Sequence, residues 1–288
     1  MGVIDDIGAG RERLDLGPLL RNTSYEVMPF KGTEEAVLAH VPTSVPLTVT
    51  ATEAKGIGVT LNLAERLAAH GYRVAPHLPA RIVSDDTHLA EIVARLREAS
   101  IRSVFVIGGD APHPAGKFPD ALSLLQSLER MGRPFDDVGI GGYPEGHGDI
   151  PDETIELALK QKAPYSTSII TQMCFHAATT AAWAGRVAGL GVDLPVRVGM
   201  PGPVNRQKLV RISAGLGLGQ SARFLHKQHS LLWRFLLPGA YSPTKLAKRL
   251  GGSVPAVPSN IRGFHIFTFN ELARTEQWRR ELLATLAE

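Results

Sequence analysis

A carboxylate stands inside an apolar, strand-like run near the N-terminus, in Thr23-Ser24-Tyr25-Glu26-Val27-Met28-Pro29. Strand interiors disfavour carboxylates, because desolvating the charge is costly unless it is paired. Glu26 therefore reads in one of two ways. It faces solvent from an edge strand, or it is an acid kept for proton transfer. Polar residues farther along the chain favour the second reading. Thr50, His77, Gly109-Asp110, Tyr143 with Glu145 and His147, Gln172, and Asn270-Glu271 each lie at the C-terminal end of a short apolar run. With Glu26, seven segments aim polar groups at one place. Taken singly, each has a plainer role: His77 as a core histidine, Asp110 as a turn cap, Tyr143 as packing and Gln172 as a partner for strand-end backbone.

The elements that must position these residues follow a regular alternation. The β-rich runs are Ser24–Met28, Leu47–Thr50, Arg73–Leu78, Ser103–Gly108, Val138–Tyr143, Ser166–Phe175, Pro195–Met200 and Gly263–Phe269. Between them, Asn62–His70 reads as a helix with Leu63, Leu67 and His70 on one face. Asp86–Ala99 reads as another, with Asp85 or Asp86 as N-cap and Leu89, Ile92, Val93 and Leu96 as its apolar stripe. Leu122–Met131 and Asp152–Lys162 repeat the pattern. Eight strands alternating with helices predict an α/β (β/α)8 TIM barrel, whose active sites form at the C-terminal ends of the strands. The interval from Asn205 to Asn260, broken by Gly215-Leu216-Gly217-Leu218-Gly219 and Pro238-Gly239, predicts an elaborated helical connection before the last strand. Residues 1–22 read as a flexible or loosely docked lead-in and 23–288 as a single catalytic domain.

Composition narrows the classes of partner. Hydrophobic residues make up 44% of the 288 residues and charged ones 20%, which suits a globular chain with a substantial core. A net charge of +3 with both signs interspersed argues against nucleic acid and leaves room for an anionic small molecule. No apolar run approaches the roughly 20 residues of a membrane span. The single cysteine, Cys174, excludes an internal disulfide and, with no secretory signal in view, predicts a cytoplasmic protein. It reads as a small buried side chain. No metal site is expected, because His113, His147, His176, His226 and His229 are scattered. Gly215-x-Gly217-x-Gly219 follows a helical segment, not a strand, so a dinucleotide-binding fold is not expected.

Read in order, Ser24-Tyr25-Glu26, Ala75-Pro76-His77-Leu78, Gly109-Asp110, Tyr143-Pro144-Glu145-x-His147, Thr171-Gln172 and Phe264-His265-x-x-Thr268-x-Asn270 resemble the motifs of 5,10-methylenetetrahydrofolate reductases. The resemblance runs from about Ser24 to Asn270. It implies a barrel oxidoreductase of one-carbon metabolism and methionine biosynthesis that binds FAD. Such an enzyme moves hydride from NAD(P)H to 5,10-methylenetetrahydrofolate, giving 5-methyltetrahydrofolate. By position, Glu26 resembles the general acid, Asp110 the aspartate beside flavin and pterin, and Gln172 the pterin-binding glutamine. Thr50, His77, Gly109, Tyr143, His147 and Lys162 resemble cofactor contacts, and Asn270 resembles a substrate contact.

The chain also departs from the family pattern. Gly108 replaces the arginine of an Arg-Gly-Asp, Ala51 a tyrosine, Glu53 a small residue, Ala158 an asparagine, Gln161 an arginine, and Glu271 the arginine of an Asn-Arg. Arginine binds a phosphate bidentately, and neither glycine nor glutamine supplies that charge. Two alternatives therefore stand beside the flavoenzyme: direct transfer from NAD(P)H to the folate without flavin, and a non-catalytic folate-binding barrel. Arg206, Lys208, Arg211, Arg223 and Lys227 are candidates to meet an anionic folate tail, or else form a solvated helix face.

Overall fold

The computed structural model describes residues 15–51, 56–204, 242–252 and 260–287. Eight parallel strands close into a barrel in sequence order, β1 to β8, with β8 returning to β1. They are β1 (Thr23–Val27), β2 (Leu47–Val49), β3 (Val74–Pro79), β4 (Ser103–Ile107), β5 (Asp137–Gly142), β6 (Ser168–Thr171), β7 (Val196–Pro201) and β8 (Ile261–Phe267). The helices are α1 (Leu16–Arg21), α2 (Thr33–His40), α3 (Gly56–Ala69), α4 (Asp86–Glu98), α5 (Ala121–Arg130), α6 (Asp152–Lys162), α7 (Ala177–Gly189), α8 (Pro243–Gly252) and α9 (Leu272–Ala284).

The (β/α)8 expectation is met, with adjustments at element ends. The sixth strand stops at Thr171, four residues before the expected end. Met173 and Cys174 beyond it are buried, but as loop residues: the Cys174 amide donates to the Gly199 carbonyl at 2.8 Å. α3 begins a turn and a half before Asn62, and His70 lies past its end, exposed and bonded to Glu34 instead of on the buried face. Asp85, not Asp86, caps α4, accepting from the His88 amide at 2.9 Å. Within the expected lead-in, Leu16, Leu19 and Leu20 of α1 are buried, so this stretch is docked on the barrel. The Gly215–Gly219 run, Glu53 and the five candidate cations from Arg206 to Lys227 lie outside the described residues.

Closure gives β1 a hydrogen-bonded neighbour on each side, so Glu26 has no edge strand to stand on. Side chains alternate along the strand. Tyr25 points outward, its hydroxyl donating to Glu276 Oε2 of α9 at 2.7 Å, and Arg279 grips the same carboxylate. Ser24 and Glu26 take the other face, toward the barrel axis. Barrel interiors are usually filled by branched apolar side chains. This one also holds His77, Phe105, Thr48 and His265, all buried. Gly139 of β5 makes room for the Phe105 ring, since a Cβ there would lie 2.9 Å from Phe105 Cδ2.

Candidate functional site

Glu26 sits one residue from the end of β1 and is 8% exposed. Burial alone pushes its carboxyl group up from 4.5 to about 8. His77, on β3, is 6% exposed and packs against Phe105, the rings tilted by 57° with centroids 4.9 Å apart. Burial pulls its imidazole down from 6.5 to about 3. Glu26 Oε2 and His77 Nε2 are 3.8 Å apart. That spacing would suit an ion pair, but desolvation drives both groups neutral. The contact is a protonated acid facing an uncharged imidazole. His77 Nε2 is buried with no hydrogen-bond partner among the described residues.

A second histidine lies beneath. His265 Nδ1 shares a 2.8 Å hydrogen bond with Ser24 Oγ, and its Nε2 lies 3.5 Å from Thr48 Oγ1. Desolvation first, then His77 and Arg197, holds His265 well below the ordinary histidine value, so it too is neutral. His265 was not among the sequence-derived site residues. The signal was present: a polar residue inside an apolar strand, as for Glu26.

The remaining candidates ring the C-terminal ends of the strands. The Thr50 amide donates to the Val27 carbonyl at 3.0 Å, which ties the end of β2 to the end of β1. After β4, Gly109 adopts φ +93°, a conformation L side chains rarely hold, and it turns the chain so that Asp110 is exposed. After β5, Tyr143 meets His147 edge to face, with centroids 5.3 Å apart. Burial, then the nearby Asp110 carboxylate, raises the Tyr143 phenol. Lys162 ends α6. Burial lowers its ammonium, while Asp120, the N-cap of α5, pulls in the opposite direction.

Two candidates have their amides engaged by the protein. Gln172 accepts from the Met173 amide at 2.9 Å through Oε1. Asn270 accepts from the Met28 amide at 2.9 Å and donates to the Met28 carbonyl at 3.0 Å and to Thr33 Oγ1 at 2.8 Å. Glu145, in the strand-five motif, receives the amides of Phe175 and His176 on Oε1 at 2.6 and 2.8 Å, at the start of α7. Cys174 is fully buried, and burial raises its thiol to about 12. Among the described residues, no three His, Cys, Asp or Glu side chains gather to hold a metal, and no helix is long and apolar enough to cross a membrane.

A buried neutral acid beneath a rim of polar loops, on a closed (β/α)8 barrel, defines a barrel with an enzyme-type site. A profile described as methylenetetrahydrofolate reductase matches residues 24–216, and the chain belongs to that family. Methylenetetrahydrofolate reductase 2 of Saccharomyces cerevisiae is 28% identical over 110 residues, which cover 34% of this chain and 18% of that protein. The chain thus matches less than a fifth of the length of that relative. Among solved structures, dihydropteroate synthase of Thermus thermophilus aligns over 96% of this chain and 97% of its own at 14% identity, with a TM-score of 0.45.

Gly109, Asp110, Tyr143 and His147 place a side-chain-free turn, a carboxylate and two rings along the rim. Gly108 and Gln161 carry no charge, which leaves Lys162 as the cation of the candidate set.

Proposed function

We propose that this barrel interconverts 5,10-methylenetetrahydrofolate and 5-methyltetrahydrofolate, with Glu26 as the general acid and base. The observation that carries the proposal is a carboxyl group whose burial raises it to about 8, at the mouth of the barrel. An acid with that value holds its proton at neutral pH and can still release it. Glu26 gives the proton to the bridging nitrogen of the imidazolidine ring. The ring opens to an iminium cation, and the Glu26 carboxylate left behind stabilises that cation in a poorly solvated site. Hydride delivered to the methylene carbon completes 5-methyltetrahydrofolate, and in reverse Glu26 takes the proton back. Asp110 and Gln172 orient the pterin.

FAD, when bound, supplies a hydride relay between NAD(P)H and the folate. Gly109, Asp110, Tyr143 and His147 would hold its ring, with Thr50, His77 and Lys162 about them. A second reading, direct transfer from NAD(P)H to the folate, draws support from the uncharged Gly108 and Gln161. In that case the same rim residues hold the nicotinamide. The test is methylenetetrahydrofolate-dependent oxidation of NADH by flavin-stripped protein, with and without added FAD. Activity only with FAD supports the relay, and equal activity without it supports direct transfer. No turnover in either condition sinks the reductase reading in favour of a folate-binding barrel.

A further inference from the structure

Toward the opposite pole of the barrel, below the Glu26–His77 contact, lies a second chamber of mixed polar and apolar lining. A cavity of about 80 Å³ is lined there by Ser24, Ser103, Asp137, Ser168, Arg73 and Arg197, among others. These residues sit at the N-terminal ends of their strands: Ser103, Asp137 and Ser168 are the first residues of β4, β5 and β6, and Arg73 directly precedes β3. An apolar plug would be the ordinary filling of a barrel at this level.

The charges in this chamber are unbalanced. Arg197 Nε is buried with no hydrogen-bond partner among the described residues, while one amino group donates to Asn22 Oδ1 at 3.1 Å. Burial lowers the Arg197 guanidinium, Asp137 attracts it and Arg73 repels it. Asp137 does not engage it in a hydrogen bond. Its Oδ1 instead receives the hydroxyls of Thr167 and Ser168, the latter at 3.2 Å. A desolvated guanidinium without a bonded carboxylate is costly, and bridging waters satisfy donors without cancelling charge. The partly desolvated Arg197, with the exposed Arg73 at the chamber's edge, therefore faces one carboxylate and several hydroxyls in a space too small for a nucleotide or a folate.

We propose that this cavity is a binding site for inorganic phosphate, held by Arg197 and Arg73, with its remaining proton donated to Asp137. The guanidinium fork matches phosphate oxygens, and the serine hydroxyls complete the shell. The carboxylate sets the selectivity. Phosphate at neutral pH retains a proton to give to Asp137. Sulfate retains none and meets a carboxylate oxygen with an oxygen of its own. The site adjoins the floor under Glu26 and His77 through Ser24 and Phe105, and its expected effect is stabilisation, because a ligand that binds only the folded barrel favours it by mass action.

The experiment is thermal unfolding of the full chain at pH 7 with phosphate titrated at constant ionic strength, beside parallel titrations with sulfate and chloride, all under saturating NADH to occupy the rim. The expected result is a saturable rise in Tm with millimolar phosphate alone. Arg197→Met should remove the response. Asp137→Asn keeps the acceptor for Thr167 and Ser168, so it should fold and now respond to sulfate as well. The proposal is overturned if phosphate gives no saturable shift in the wild type, if sulfate or chloride matches it, or if Asp137→Asn still rejects sulfate.

Discussion

Glu26 and His77 face each other at 3.8 Å inside the barrel, and both are neutral. Burial desolvates the two together, so ionising either would strand a charge beside an uncharged partner. The Phe105 ring beneath His77 and the Ser24–His265 hydrogen bond below keep the surroundings closed. An acid held this way keeps its proton at neutral pH.

Replacing Glu26 with Gln keeps the shape and removes the proton. We expect turnover of methylenetetrahydrofolate to fall by about 10²–10⁴-fold while folate affinity, read by titration, stays close to wild type. In the wild type, kcat/KM should decline as pH rises through about 8, where the acid loses its proton. A Glu26→Gln enzyme with normal turnover would remove the residue from the mechanism.

The same pair makes stability depend on pH with opposite signs. Between 4.5 and about 8, Glu26 is ionised in the unfolded chain and protonated in the fold. The folded state then binds more protons, and stability falls as pH rises. His77 is charged when unfolded and neutral when folded between 6.5 and about 3, so its contribution falls as pH drops through that window. The two slopes oppose each other from 4.5 to 6.5, leaving Glu26 alone from 6.5 to 8. There the slope approaches about 1.4 kcal/mol per pH unit. Urea unfolding at pH 6.5 and 8 should show this loss in the wild type and its absence in Glu26→Gln.

The strand count and the barrel were legible because eight largely apolar runs alternate with amphipathic ones. The boundaries failed where apolarity had another cause. Met173 and Cys174 read as strand because they are apolar, yet they are buried loop residues, with the Cys174 amide bonded to Gly199 of β7. The opening turn of α3 was hidden by Gly56 and Gly58, poor helix formers that the context overrides. Glu26 was visible as a charge out of place. His265 followed the same rule but passed as part of a motif. The link from Asn270 to Met28 spans 242 residues, and no local pattern announces it.

Glu145 holds two loops of the rim together. Its Oε1 receives two amides at the entry to α7, where a carboxylate also complements the positive end of the helix. Glu145→Gln retains an oxygen in that place and should unfold within a few tenths of a kcal/mol of wild type. Glu145→Ala leaves two part-buried amides without their acceptor and should lose about 2 kcal/mol. Urea midpoints of the two variants at pH 7 decide it; equal losses would mean that the acceptor is dispensable.

Asn270 poses the sharpest choice between substrate contact and scaffold. Its φ of +57° is tolerated by asparagine, and its amide closes the end of β1 against the start of α2 through Met28 and Thr33. Thr33 Oγ1 donates to the same Met28 carbonyl at 2.8 Å, so the three residues form one knot. Asn270→Ala strands the Met28 amide and should cost about 2–3 kcal/mol. Thr33→Val should cost less, because Asn270 still reaches the Met28 carbonyl. Combined, the two changes should cost less than their sum, since they share partners. Folate titration of the folded Asn270→Ala protein completes the test. Affinity that drops sharply while stability holds would make Asn270 a ligand contact, whereas lost stability with folate affinity retained places it in the frame that carries Glu26.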